Sequence, residues 1–139
     1  MPSYETDLYR RLHRHLETIR VIDTHEHLHR PTQYPAPEHH NLGRLFSQWV
    51  NWDLVSAGMP KADMLKVEDD RNGLSPRERW KLVAPWYEKT RLSSYWEALR
   101  LAIRGLYDID DFSENTVEPL VEKMRQLLRP GATRAVFDR

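Results

Sequence analysis

The chain has 139 residues, 40% of them hydrophobic, enough for one domain that buries about two thirds of its unfolded surface. Lys+Arg and Asp+Glu number 21 each, so no overall field recruits nucleic acid or anionic lipid, and a charged partner has to be met by a local patch. The lack of cysteine excludes disulfides, thiolate zinc sites and thiol chemistry, leaving His, carboxylate and backbone oxygen as metal donors. No apolar run approaches the ~20 residues that span a bilayer. The N-terminus shows no charged start followed by an apolar stretch and a small-residue cleavage site, so a cytoplasmic location is expected.

In chain order, Tyr4, Leu8, Leu12, Leu16 and Ile19 form an apolar stripe at helical period, with Arg and His on the other faces. The period then changes: Val21-Ile22-Asp23-Thr24-His25 is short and β-branched at its start, and reads as a buried strand. Pro31 to His40, with three prolines, reads as a loop. A helix is expected over Leu42 to Ala57, with Leu45, Phe46, Trp49 and Trp52 as its apolar face and Gly58 and Pro60 as its stop. Lys61 to Leu74 is polar and turn-rich. Ser75-Pro76-Arg77-Glu78 is a capping box with proline at the first helical position, opening a helix that turns Trp80, Val83, Ala84 and Tyr87 inward and that Pro85 kinks or ends. Ser94-Tyr95-Trp96-Glu97 repeats the pattern and opens a helix closing near Gly105. A last clear helix covers Glu114 to Leu128, broken by Pro130-Gly131, and Thr133 to Arg139 reads as the beginning of another. There is no internal repeat. A lone strand cannot satisfy its own backbone hydrogen bonds, so the Val21 segment requires neighbours.

Seven histidines are present, and five fall between positions 25 and 40. On a strand, residues two apart share a side, about 7 Å apart at their α carbons, so His25 and His27 can converge on one cation. On a helix the same pair would face nearly opposite ways. Neutral imidazole suits zinc first, with nickel, iron or manganese as alternatives, and two ligands leave room for a carboxylate, further histidines and a water whose pKa the ion would lower.

Val21-Ile22-Asp23-Thr24-His25-Glu26-His27-Leu28 resembles the first-strand His-x-His motif of the amidohydrolase superfamily, in which an apolar strand runs into Asp-x-His-x-His at the mouth of a (β/α)8 barrel. The Trp-rich stretch from Trp80 to Ile109 resembles the helical insertion of the uronate isomerase branch. The resemblance implies an α/β fold: residues 1–30 as the opening helix and metal-bearing first strand of a TIM barrel, and residues 41–128 as the helical insertion. It implies metal ligation by His25 and His27, with the remaining ligands on later strands. A barrel of this kind takes roughly 250 residues, so 139 residues are expected to be its opening part, inactive alone. Uronate isomerases also carry a His-Tyr pair after the first loop. The nearest counterpart here, Trp49-Val50, has no titratable group, which favours hydrolysis of an amide, ester or related bond in a small-molecule substrate over aldose–ketose isomerisation.

Plainer readings stand beside these. His25 and His27 could be hydrogen-bonded histidines near a strand end. Asp23 either orients an imidazole or caps a turn. Glu26 alternates to the far side and is structural; His29 follows the ligand alternation, but Pro31 ends the strand. His39 and His40 line the barrel mouth or face solvent, and Arg30 is a weak candidate for a substrate carboxylate. The basic run Arg10, Arg11, His13, Arg14 and His15 reads as a solvated helix face rather than a nucleic-acid patch. Trp49, Trp80 and Trp96 lie on apolar stripes and are expected in the core. The partners expected are a small-molecule substrate and neither nucleic acid nor membrane; an oligomer is compatible with the sequence. A reading from a different class is a non-catalytic helical interaction module.

Overall fold

The computed structural model describes residues 6–22, 24, 40–47 and 49–127. The chain divides into two compact units, Met1–Arg30 and Pro31–Arg139.

In the first unit, helix α1 (Asp7–Glu17) starts at Thr6, whose hydroxyl accepts from the Tyr9 amide at 3.2 Å. Asp7 in its first turn and Arg14 and His15 in its last complement the helix dipole. Leu8, Leu12 and Leu16 fall on one face, as their spacing predicts, and all three are exposed. The helix stops at Thr18, whose amide donates to His15 at 3.1 Å. Val21, Ile22 and Thr24 belong to neither helix nor strand, and Val21 and Ile22 are 81% and 74% exposed.

This corrects the fold class. The expected α/β first strand of a TIM barrel is not observed; the described residues form seven helices and no strand. β-Branched residues favour an extended backbone, but a strand exists only by pairing, and no described segment offers it an edge.

The second unit holds α2 (Leu42–Phe46), α3 (Val50–Ser56), α4 (Lys61–Glu68), α5 (Pro76–Thr90), α6 (Ser94–Tyr107) and α7 (Val117–Leu127). Central α5 packs against α2, α3, α4 and α7, while α6 packs on α7. The core is strongly aromatic. Trp96 is fully buried, with Tyr87 at 4.6 Å, Phe46 at 5.3 Å and Phe112 at 5.4 Å between ring centroids, all edge-on. Its indole N–H donates to the Thr90 hydroxyl at 2.9 Å, so the polar tip is satisfied inside the core.

Several local expectations change. The helix expected over 42–57 is two helices, α2 ending at Phe46 and α3 beginning at Val50. Across the break Leu42, Phe46, Val50 and Leu54 keep an inward four-residue spacing. Val50 and Leu54 turn inward while Trp49, expected in the core, is 57% exposed; Trp80 and Trp96 are buried as expected. α3 closes where foreseen: Gly58 adopts φ +110°, its amide donates to Val55, and Met59 donates to Leu54, both at 3.0 Å, a Schellman ending that requires the left-handed residue. The stretch read as turns contains α4, which buries only Met64 and Val67 and leaves Leu65 exposed, too weak a stripe to register as periodicity. Pro85 lies inside α5 without ending it; the helix runs on to Thr90. Ser93, not Ser94, is the N-cap of α6, and it makes no side-chain cap bond to the helix.

Two features fix how α4 sits. Arg79 is 2% exposed and donates from Nη1 to the Lys66 and Val67 carbonyls at 2.9 and 2.7 Å, from Nε to Leu74 and from Nη2 to Asn72. A guanidinium thereby closes the carbonyl end of α4, where cationic charge is favoured. Where α2 meets α4, a Cβ on Gly43 would stand 2.3 Å from the Val67 carbonyl oxygen and 2.7 Å from the Glu68 α carbon. Only a residue without a side chain permits that approach.

Candidate functional site

Asp23, His25 and His27, with Glu26, His29, Arg30 and His39, lie outside the described residues. The chain before them leaves α1 at Thr18 and is non-helical at residues 20–22 and 24. The chain after them begins at His40, which is 5% exposed rather than solvent-facing. Its carbonyl accepts from Arg125 Nε at 3.3 Å, and the next side chain, Asn41, caps α2 by accepting from the Gly43 amide at 2.7 Å. The described part of the second unit therefore starts as an anchored backbone. Among the described residues no three His, Asp or Glu side chains converge to hold a metal ion.

The most developed polar cluster in the described residues joins α5, α6 and the turn after α6. Tyr87 Oη donates to Asp111 Oδ1 at 2.5 Å and accepts from Arg100 Nη1 at 3.2 Å. Arg100 also donates to the Arg91 carbonyl at 2.8 Å and pairs with Glu97 at 2.6 Å. Burial pushes the Tyr87 phenol up to about 12, helped by its bond to the Asp111 carboxylate. Held protonated at neutral pH, it is a hydrogen-bond donor and cannot serve as a base. Asp111 Oδ1 also accepts from the Phe112 amide at 2.8 Å, placing Phe112 in the aromatic core. The cluster is thus a latch that closes the turn over that core. Tyr87 reads as core from its stripe, and nothing in the sequence links it to an aspartate 24 residues away.

Two further charged sites are structural. Burial lowers the pKa of Arg79 against the opposing pull of Asp69 and Asp70. Glu78 is held below the usual carboxylate range by the Ser75 amide and hydroxyl, which donate to it at 2.8 and 2.7 Å. The basic run on α1 is exposed; within it His13 Nδ1 lies 3.5 Å from Glu17. Trp49 and Val50 sit at the start of α3, Trp49 on the surface and Val50 in the core.

No protein-family model, curated protein or solved structure matches the chain.

Proposed function

We propose that the chain serves metal-dependent hydrolysis of the amidohydrolase type, with His25 and His27 holding a divalent ion, zinc first, and a small molecule bearing an amide, ester or related bond as substrate. The observation that carries this reading is the Asp-x-His-x-His spacing at Asp23–His27, preceded by a helix that ends at Thr18. Two histidines two residues apart chelate only from an extended backbone, and the described residues up to Thr24 leave that backbone available. A metal held there would supply an activated water. In this reading the chain's own residues contribute neutral imidazole donors at 25 and 27, while the Asp23 carboxylate fixes the orientation of one ring by accepting its second N–H. The absence of a titratable side chain at Trp49-Val50 weighs against sugar-acid isomerisation.

Calorimetric titration of the full chain with zinc is the test, because it does not depend on turnover. One equivalent should bind, with release of protons as the pH falls towards the histidine range. His25→Ala/His27→Ala should abolish binding, and Asp23→Asn should weaken it roughly 10- to 100-fold. Equal zinc binding by the wild type and the double variant would overturn the assignment.

A second reading, a helical interaction module with incidental histidines, is favoured by one observation: the second unit closes a core running from Leu42 to Met124. It predicts thermal unfolding that is indifferent to zinc and to chelators.

A further inference from the structure

Between α2, α3 and α6 lies an open cleft of about 360 Å³, within the range of small-ligand sites, roughly 300–1,000 Å³. Leu45, Val50 and Leu99 line its apolar part, and Arg44, Trp49 and Tyr95 its remainder. Trp49 and Tyr95 stack almost parallel, 11° between planes and 5.7 Å between centroids, although they are 57% and 43% exposed. Trp49 stands at the junction preceding α3, outside the core, and α6 supplies Tyr95 from its first turn, next to buried Trp96. Arg44 makes one loose ion pair, Nη2 to Asp70 at 3.5 Å, which engages little of a five-donor fork.

We propose that this cleft binds a small aromatic carboxylate, its ring against the Trp49–Tyr95 pair and its carboxylate on the Arg44 guanidinium. The charge at Arg44 decides the class. An aromatic platform alone would take a cation or a neutral sugar, but a guanidinium lining the same cleft repels the first and makes only weaker hydrogen bonds to the uncharged hydroxyls of the second. A planar acid uses both halves: offset ring contact and a charge-assisted, two-pronged hydrogen bond. Asp70 competes with the ligand for the same nitrogen. The site goes beyond the hydrolytic reading and owes nothing to His25 or His27.

Indole-3-carboxylate is the probe, titrated into the full chain by calorimetry and followed by the indole N–H resonances, with indole-3-carboxamide as its uncharged control. The acid should bind at one site, weaken as salt is raised, and leave the sedimentation of the protein unchanged. Arg44→Ala should weaken it roughly tenfold, Tyr95→Ala and Trp49→Ala comparably, whereas Tyr95→Phe, which keeps the ring, should stay within about twofold. Asp70→Asn should tighten binding by up to about fivefold, and His25→Ala/His27→Ala should leave it unchanged. Equal binding of the carboxamide, no binding of the acid, or dimerisation that Trp49→Ala abolishes would each overturn the proposal.

Discussion

Helices α1 and α5 carry apolar stripes of the same period with opposite fates. Leu8, Leu12 and Leu16 of α1 are more than half exposed, while Trp80, Val83 and Tyr87 of α5 are at most 5% exposed. Periodicity therefore selects a face and leaves open whether anything covers it. α5 is covered because α2, α3, α4 and α7 present their own apolar residues to it. The stabilising term is the area removed from water by that mutual burial.

The contrast is sharpest at Trp96 and Leu12. Trp96→Ala removes the ring about which Phe46, Tyr87 and Phe112 are arranged and should cost about 3–5 kcal/mol in urea unfolding. Leu12→Ala should stay within about 0.5 kcal/mol; a loss comparable to that of Trp96→Ala would mean that α1 is covered after all. Arg79→Leu comes next, at about 2–3 kcal/mol, because it strands the Lys66 and Val67 carbonyls without donors, and hydrogen exchange should accelerate first in α4. Ser75→Ala should cost about 1 kcal/mol by opening the capping box of α5, the counterpart change at Thr6 of α1 being smaller still.

A further effect is alkaline. The Tyr87 phenol is raised from its ordinary value near 10 to about 12, so its contribution is fully present below pH 10 and is lost as the pH rises to 12. Stability should fall across that window, and Tyr87→Phe should flatten the fall. A tyrosinate absorbance titration completed near pH 10 would contradict the latch.

What was legible divides along the same line. The stripes of α1, α6 and α7 are readable from spacing, and α5 also from its capping box Ser75-Pro76-Arg77-Glu78. α4 was not, because two buried residues in eight make no pattern, and its hold on the fold comes from Arg79, 12 residues away from its Val67 acceptor. The strand expected over Val21–His25 is not formed at its described residues Val21, Ile22 and Thr24, because β-branching is local evidence for a structure that exists only through pairing. Of the proposed sites, His25 and His27 rest on the spacing in the sequence alone and lie outside the described residues. The exposed Trp49 was not legible, since a surface Trp and a buried one have the same periodicity.

Gly43 turns an absence into a measure of distance. With the Val67 oxygen 2.3 Å from where a methyl group would be, the α2–α4 spacing is set by main chain against main chain, below what any side chain tolerates. A saturation library at this position should return glycine almost alone, and alanine should push the two helices apart. The wall of the aromatic cleft that carries Arg44, its immediate neighbour, would move with them, so that exchanging one hydrogen atom for a methyl group at 43 would be felt as a change in ligand affinity.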